Sequence, residues 1–375
     1  MTDPLDPLDL PALEAAARER LDDGVYDYIA GGADAELSVA ANLAAWSRLW
    51  LQPRVLRDVA RVSTATSLLG SQVQVPLAVA PMAYHRMTHL EGEAASAAGA
   101  AAAGALYICS TQATMPVEEV AAAAPDAARW FQVYVVRDRG WTAELVGRAA
   151  AAGYRALVLT VDVPLLGNRL RDLRNDFRLP TGLAPANAPP AGAARQRELA
   201  VDVIAQAGQF DPSLTPETIG WLAERSGLPV VVKGVLRGDD ARACVEAGAV
   251  GVVVSNHGGR QLDSVVATAD ALAEVVAAVG DRVEVYVDGG IRHGTDVLKA
   301  LALGARAVLV GRPVLWGLTM GGAHGVERVL SGLAGELQLA MALCGAVGVD
   351  DLTPDLIAGH GGSPTTLWSP PEQPP

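Results

Sequence analysis

Short apolar runs alternate with longer amphipathic segments along most of the chain after residue 75. The apolar runs are six or seven residues long and rich in Val, Leu and Ile, as buried strands are. The segments between them are rich in Ala with helical spacing of apolar residues, and several close on glycine, the usual residue after a helix C-terminus. The eight runs span residues 76–81, 105–111, 129–135, 156–162, 229–234, 251–256, 284–290 and 307–312.

Nearly continuous apolar strands separated by helices indicate a parallel sheet. Eight strand–helix units in succession favour an α/β fold of the closed (β/α)8 TIM-barrel type. The alternative is an open doubly wound sheet, which usually has fewer strands. The pattern therefore predicts a barrel.

Two segments fall outside this alternation. Residues 1–75 contain helical patterns and a predicted hairpin at 63–75, so we expect an N-terminal helical extension packed on the barrel. An insertion rich in Ala, Pro and Gly lengthens the connection after the fourth strand, and we expect a mobile lid over 180–215. The barrel is then expected over 76–360, followed by a disordered, proline-rich tail over 361–375.

Composition narrows the class of partner and the compartment. The 375 residues are 50% hydrophobic, and the net charge of -13 argues against nucleic acid or an anionic membrane as the main partner. The N-terminus has no signal-peptide pattern, and no apolar stretch approaches the roughly 18 residues of a membrane span. Cys109, Cys244 and Cys344 lack metal or redox spacing, as do the histidines, so we expect a cytoplasmic protein without a metal.

Polar or glycine residues end almost every predicted strand. In a (β/α)8 barrel these C-terminal strand ends form one mouth, where active sites lie. The sequence therefore predicts one shared site. Its residues come from Pro81-Met82-Ala83, Ser110, Gln132 with Tyr134, Thr160 with Asp162, Lys233, Ser255-Asn256-His257, Asp288-Gly289-Gly290 and Gly311-Arg312.

The stretch SNHGGRQLD, residues 255–263, follows the sixth strand and contains the most distinctive chemistry. His257 could act as a general base if Asp162, at the end of the fourth strand, orients the imidazole. Arg260 and Arg169 could bind a carboxylate with their planar guanidinium groups. The alternatives are a structural histidine and, for Arg169, a surface salt bridge.

Glycine turns with arginines follow the last two strands, where barrels commonly bind phosphate. Arg292 lies in DGGIRHG, residues 288–294, and Arg312 ends LVGR. Each turn could also be only a turn. Lys233, one of two lysines in the chain, follows three valines and could stabilise negative charge on a ring cofactor; alone, it could equally reach solvent.

These motifs together resemble those of the FMN-dependent 2-hydroxy-acid oxidase and dehydrogenase family, which includes glycolate oxidase, lactate oxidase, mandelate dehydrogenase and hydroxymandelate oxidase. The resemblance rests on VYDYIAGGA, APMAYHRMTHLEGE, WFQVYV, LTVDVP, VVVKGV, SNHGGRQLD, VDGGIRHGTDVLKALALGA and LVGRP. It covers roughly residues 20–345 and leaves 180–210 unmatched. AYHRMTHLEGE and VDVPLLGNRLRDLRNDFRLP are most similar to the actinobacterial hydroxymandelate-oxidase branch.

The resemblance implies FMN across the barrel mouth and a role for each residue. The ring and ribityl chain would contact Pro81, Met82, Ala83, Ser110, Gln132, Thr160, Lys233 and Ser255. The ribityl and phosphate end would be held by Asp288, Gly289, Gly290, Arg292, Gly311 and Arg312. His257 would be the base, supported by Asp162, while Tyr28, Tyr134, Arg169 and Arg260 would bind the substrate.

The activity implied is oxidation of an L-2-hydroxy acid to the 2-keto acid, with O2 reoxidising the flavin to give H2O2, in a homotetramer. Asn168-Arg169 stands where many relatives have two arginines, and Gln112 where plant glycolate oxidases have tryptophan. Apolar residues are expected to line the substrate pocket, which favours a medium-sized or aromatic, mandelate-like acid, or lactate. These residues are Met82, Met115, Leu165 and Leu166.

Three other functions remain open at this stage. The first is a dehydrogenase that uses a quinone or protein acceptor, although the polar insertion favours the oxidase. The others are a flavoenzyme acting on a peptide-derived precursor and a barrel that only binds. Whether the histidine removes the hydroxyl proton or the α-proton is also open.

Overall fold

The computed structural model describes residues 5–6, 8–188 and 208–358. Its N-terminal part contains three helices, α1 Leu10–Arg20, α2 Asp23–Ala30 and α3 Leu37–Arg48. Helix α1 starts at Asp9, whose side chain accepts a hydrogen bond from Ala12 N (2.9 Å), as an N-cap residue does. A short antiparallel hairpin follows, formed by β1 Thr66–Leu68 and β2 Ser71–Val73.

Eight parallel strands close into a barrel, with the last strand paired to the first. The fold prediction is therefore confirmed. Each strand lies within a predicted apolar run or extends it by one residue, and four of the eight stop before the predicted site residues that follow them at the mouth. The strands are β3 Leu77–Val79, β4 Leu106–Cys109, β5 Arg129–Val133, β6 Leu157–Thr160, β7 Val230–Val235, β8 Gly251–Val254, β9 Glu284–Asp288 and β10 Ala307–Val310.

Helices surround the barrel and cover its apolar outer face. The longest one is interrupted at Gly321 and Gly322, whose backbone angles are not helical. The described helices after α3 are α4 Gly92–Ala102, α5 Val117–Ala123, α6 Arg139–Ala151, α7 Leu170–Arg174, α8 Glu217–Ser226, α9 Gly238–Glu246, α10 Thr268–Val279, α11 Gly294–Ala302 and α12 Arg312–Leu343.

Alternate residues along each strand belong to two different cores. One set fills the barrel interior, where the rings of Trp130 and Tyr286 meet edge to face at 5.4 Å. The other set, such as Phe131 and Val232, packs against the surrounding helices. Because side chains fill its interior, the barrel is a rigid support for the mouth and not a channel.

The insertion between β6 and β7 is anchored to the barrel at both described flanks. Ala186 N donates to Ala113 O (2.8 Å) before it, and Asp211 N donates to Val135 O (2.9 Å) after it. Residues 189–207 of the predicted lid and the predicted tail at 361–375 lie outside the described residues. In the part of the chain that is described, every helix is too short or too polar to cross a membrane.

Candidate active site

A cavity with about 1220 Å3 of space free of protein atoms lies at the C-terminal end of the barrel. It is lined by residues from the N-terminal extension, from strand ends all around the barrel and from the segment after the insertion. Sixteen of the residues predicted from sequence line it: Tyr28, Pro81, Met82, Ala83, Ser110, Tyr134, Arg169, Lys233, His257, Arg260, Asp288, Gly289, Gly290, Arg292, Gly311 and Arg312.

Four predicted residues are absent from this lining and lie behind it. Gln132 and Thr160 are buried, with Gln132 Nε2 donating to Thr160 Oγ1 (3.0 Å) and Gln132 Oε1 accepting from Ser110 Oγ (3.2 Å). Ser255 is buried beneath Lys233, and Asp162 lies behind His257. In this structure their polar groups hold the lining side chains in place.

His257 and Asp162 form a largely buried pair, with 19% and 14% of their side chains exposed. The imidazole Nδ1 lies 2.9 Å from Asp162 Oδ1. Burial lowers the pKa of His257, and this effect outweighs the opposing effect of Asp162. Burial alone would raise the pKa of Asp162, but the adjacent imidazole brings that pKa below its ordinary value. An ionised carboxylate only accepts hydrogen bonds, so Nδ1 carries the proton of a neutral imidazole and Nε2 has a free lone pair. Tyr134 Oη lies 3.5 Å from that Nε2.

The turn that carries His257 has three successive residues in the left-handed region, with φ of 58° at His257, 64° at Gly258 and 76° at Gly259. A Cβ on Gly259 would lie 2.7 Å from Val39 N in α3, and one on Gly258 would lie 3.2 Å from Arg312 Nη1. Glycine at 259 therefore makes room for α3, while Gly258 lines the cavity.

Helix α3 is bonded to this turn by residues whose role the sequence did not reveal. Asn42 and Asn256 exchange side-chain amide hydrogen bonds of 2.8 and 2.9 Å. The carboxylate of Asp263 accepts from Leu37 N (3.2 Å) and Ser38 N (2.8 Å) at the start of α3. Asp263 belongs to the SNHGGRQLD stretch and could have been suspected, whereas nothing in the helical pattern distinguished Asn42.

Arg169 and Arg260 lie together at one end of the cavity. Arg260 Nη1 donates to the carbonyl oxygens of Tyr28 and Gly31, and its guanidinium lies 4.9 Å from the Tyr28 ring centroid. Burial, followed by repulsion from Arg169, lowers the pKa of Arg260 to about 10, so it stays charged at neutral pH. Among the described residues neither guanidinium has a carboxylate partner. Two unpaired buried cations at one point form a site for an anion.

Gln261, which follows Arg260 in the sequence, holds the loop after β6 that contains Arg169. Its Nε2 donates to Asp162 O (3.0 Å) and Leu165 O (2.8 Å). Its Oε1 accepts from Gly167 N (3.2 Å) and Arg169 Nη2 (3.4 Å). The loops after β6 and β8 are therefore joined by one amide, which makes Gln261 a positioning residue that the motif contained but did not reveal.

A second buried pair joins Lys233 and Asp288. Lys233 Nζ lies 2.9 Å from Asp288 Oδ2 and donates to Ser255 Oγ (2.7 Å). Burial lowers the pKa of Lys233, but Asp288 and then Asp162 raise it, and the net pKa is above the ordinary value. Gly234 has φ of 110°, and a Cβ there would lie 2.6 Å from Asp162 Cγ. Glycine at 234 thus lets the two buried pairs lie side by side.

Arg292 and Arg312 are two further arginines of the cavity lining, and Arg312 lies next to Arg260, because both donate to Gly31 O. Arg312 donates to Gly258 O (3.1 Å) and Gly31 O (2.8 Å), and burial lowers its pKa to about 9. Burial also lowers the pKa of Arg292. Neither forms an ion pair with any described carboxylate. With the glycine turn at 289–290 beside them, they fit the phosphate site predicted after the last two strands.

The apolar wall differs in part from its prediction. Met82 and Leu166 line the cavity, but Leu165 is 74% exposed and Met115 is buried elsewhere, so neither contributes. Neighbouring residues in a loop point in different directions, which the sequence could not resolve. Two apolar residues that were not predicted take their place, Val163 and Phe210.

These features fit an elongated ligand with an anionic end. Asp288 Oδ1 is buried and has no hydrogen-bond partner among the described residues, so it can accept from a ligand. A Cβ on Gly311 would meet only Met82 Sδ (3.4 Å) and Ala80 Cβ (3.8 Å), so this side of the cavity remains open. A ring against this face and a phosphate at the two arginines would use both features.

Comparison with known proteins gives consistent matches over almost the whole chain. Residues 17–359 match a family model described as FMN-dependent dehydrogenase. An L-lactate oxidase from a Nostoc species is 48% identical over 92% of this chain and 96% of its own length. A 4-hydroxymandelate oxidase from Amycolatopsis orientalis is 47% identical over 91% of this chain and 95% of its own. A mandelate oxidase structure with (S)-4-hydroxymandelic acid is 46% identical and superposes with a TM-score of 0.88, covering 93% of this chain and 98% of that one.

Proposed function

This chain belongs to the FMN-dependent dehydrogenase family, and we propose that it oxidises a 2-hydroxy acid to the 2-keto acid with FMN as its cofactor. The observation that carries this function is the imidazole of His257, hydrogen-bonded to Asp162, beside two guanidinium groups without carboxylate partners among the described residues, in one cavity. Relatives 42–48% identical over most of the chain are named lactate, 2-hydroxyacid, hydroxymandelate and glycolate oxidases. The chain is therefore an FMN-dependent 2-hydroxy-acid oxidase.

The residues present fit FMN, which accepts two electrons when bound. Arg292 and Arg312 would hold its phosphate, supported by the glycine turn after β9. Lys233 would face the ring as a cation fixed by Asp288. The role of this lysine is electrostatic, because its raised pKa keeps it protonated near neutral pH.

The substrate carboxylate would bind between Arg169 and Arg260. Both arginines line the cavity. Arg260 has N–H donors left for a carboxylate, because only its Nη1 forms hydrogen bonds to described residues. Tyr28 lies under Arg260 and stacks on Phe177 with ring centroids 4.7 Å apart, which fixes its position. Tyr134 Oη would hydrogen-bond the 2-hydroxyl oxygen, since it already lies near His257 Nε2.

His257 Nε2 accepts a proton from the substrate. Its Nδ1–H donates to Asp162, so a positive charge formed on the imidazole is stabilised by an adjacent carboxylate. Asp162 does not line the cavity and therefore acts as a positioning residue rather than as a second base.

Molecular oxygen is the proposed electron acceptor, with H2O2 as its product. The names of the relatives support an oxidase over a dehydrogenase that passes electrons to a quinone or protein. The homotetramer and the cytoplasmic location stay predictions.

The side chain of the substrate would lie against an apolar end of the cavity. Met82, Val163, Leu166 and Phe210 contribute to this end, and Gln112 provides one amide. This supports a mandelate-like or other medium-sized substrate over glycolate.

An anaerobic screen of 2-hydroxy acids of increasing size, both enantiomers, tests this function. Flavin absorbance should bleach with the L-enantiomers, most readily with an aromatic or medium-sized acid, and peroxide should form in air. Retained absorbance with every acid would overturn the proposal. Bleaching in nitrogen without peroxide in air would instead support the dehydrogenase.

A further inference from the structure

Phe210 lies on the boundary between two cavities. It lines the active-site cavity together with Tyr134 and Gln112, and the same three residues also line a narrower space behind it. The rest of that rear space is lined by four apolar and four uncharged polar residues: Val136, Trp141, Leu145, Ala188, Thr111, Thr142, Asn187 and Gln209. The phenyl ring therefore separates the substrate end of the active site from an uncharged region.

The ring is close to the reacting groups. Phe210 stacks on Tyr134 with ring centroids 4.4 Å apart and an interplanar angle of 20°. Tyr134 Oη in turn lies 3.5 Å from His257 Nε2. A substrate whose 2-hydroxyl oxygen reaches both Tyr134 and His257 would therefore bring its side chain towards Phe210.

The backbone around Phe210 is fixed to the barrel. Phe210 forms a bridge with Val136, and Asp211 N donates to Val135 O (2.9 Å). The Asp211 carboxylate accepts from Arg139 Nη2 (2.8 Å), and Arg139 also lies 5.2 Å from the Trp221 ring centroid. The backbone of Phe210 is thus fixed, and its ring could turn aside only by breaking the stack on Tyr134, so it acts as a wall.

Room for hydrocarbon would come mainly from the volume of the removed ring, because the rear space itself is small. None of the described residues that line it is charged. Two of its polar side chains are already paired: Thr142 Oγ1 accepts from Val136 N (3.1 Å), and Asn187 accepts from Val117 N and donates to Met115 O, at 3.2 Å each. Binding of an alkyl chain would therefore leave these two groups with their partners.

We propose that Phe210 is the specificity-determining residue that limits the length of the substrate's side chain, admitting an aryl group or a short alkyl chain and excluding longer ones. This inference rests on the proposed 2-hydroxy-acid oxidase function. Removal of the ring joins the two spaces and extends the substrate range to long-chain 2-hydroxy acids.

The test compares the wild-type holoenzyme with Phe210→Ala on straight-chain 2-hydroxy acids from 2-hydroxybutanoate to 2-hydroxydecanoate, and on mandelate. We expect kcat/KM of the wild type to fall about 10-fold or more between the short and the long acids, since one methylene group that does not fit an apolar pocket can change kcat/KM roughly 10-fold. Phe210→Ala should recover the long acids by a similar factor and lose activity on mandelate.

Two further variants control for nonspecific effects. Val136→Ala enlarges the rear space but leaves the wall in place, and should keep the wild-type order of substrates. Phe210→Leu should be intermediate, and it keeps the test available if the alanine variant does not fold. Dissociation constants of 2-ketobutanoate and 2-ketooctanoate, measured by calorimetry on each holoenzyme, should follow the same order without turnover.

An unchanged order of substrates in both Phe210 variants would overturn the inference, as would a wild type that oxidises 2-hydroxydecanoate as readily as 2-hydroxybutanoate. A wild-type holoenzyme that oxidises no 2-hydroxy acid would instead contradict the proposed function.

Discussion

Two buried acid–base pairs lie side by side at the barrel mouth, and they differ in their protonation. In each, a carboxylate oxygen lies 2.9 Å from a nitrogen, Asp288 from Lys233 and Asp162 from His257. The other oxygen of each carboxylate has no hydrogen-bond partner among the described residues. Yet the pKa of the lysine is raised and that of the histidine is lowered. Contact distance alone therefore does not decide what such a pair does.

The charges around each pair explain the difference. Burial lowers the pKa of both basic groups, but two carboxylates, Asp288 and Asp162, act on Lys233. His257 is close to one carboxylate, and the cations Lys233 and Arg169 oppose it. The lysine is thus a permanent cation, whereas the histidine is a neutral base. One residue, Asp162, contributes to both results.

Removal of the base should have the largest effect on activity. We expect His257→Gln to retain FMN and to lose about 10²–10⁴-fold in kcat, the usual range for loss of a general base. Steady-state kinetics and the flavin spectrum of the same preparation measure both. Turnover near the wild-type rate would show that another group accepts the proton.

Removal of the fixed cation should lower stability as well as the rate of flavin reduction, because Lys233 is both the partner of Asp288 and the cation facing the ring. Lys233→Met leaves Asp288 buried without its partner, which typically costs about 3–5 kcal/mol. The double variant Lys233→Met with Asp288→Asn should recover most of that loss, because no buried charge is left unpaired. Thermal unfolding of the three holoenzymes measures it, and a single variant as stable as the wild type would contradict the charged pair.

Asp162→Asn should change the base without removing it. The carboxylate raises the pKa of His257, so its loss should move the acid limb of the kcat/KM–pH profile to lower pH. The plateau should fall by roughly 10²-fold, because the imidazolium loses its stabilising charge and its orientation. A limb that stays in place with a lower plateau would mean that Asp162 contributes only orientation.

The smallest predicted effect concerns substrate binding. Arg260→Lys replaces a planar fork by a point charge and should raise KM on the order of 10-fold, because a charge-assisted hydrogen bond contributes about 1.5 kcal/mol or more. The value of kcat should change little. Arg171→Lys is the matched control, since Arg171 pairs with Asp27 and Glu36 and does not line the cavity. Equal KM values in both variants would remove Arg260 from the carboxylate site.

The sequence predicted the barrel because its strands are buried on both faces and therefore read as continuous apolar runs. It also predicted that Lys233, His257 and Asp288 lie close together, because the C-terminal ends of all strands in a closed barrel meet at one mouth. For these residues, knowledge of the topology was sufficient to place the side chains at the site.

Other parts of the site depend on contacts that no local pattern shows. Asn42 pairs with Asn256 across more than 200 positions of the chain. Phe210 lies next to an insertion and reaches the site only because its backbone pairs with the loop after β5. Leu165 and Leu166 were assigned alike, although only Leu166 faces the cavity. The orientation of loop side chains is set by packing that the sequence does not display.

The most direct test of the neutral base is the pH dependence of anaerobic flavin bleaching in the wild-type enzyme. The second-order rate constant at low concentrations of the 2-hydroxy acid reports the protonation of the free enzyme. It should rise through an apparent pKa below the ordinary histidine value of 6.5 and remain level towards neutral pH. An apparent pKa above 6.5 would mean that Asp162 keeps His257 protonated. That result would contradict the conclusion that His257 is neutral while Lys233 is charged.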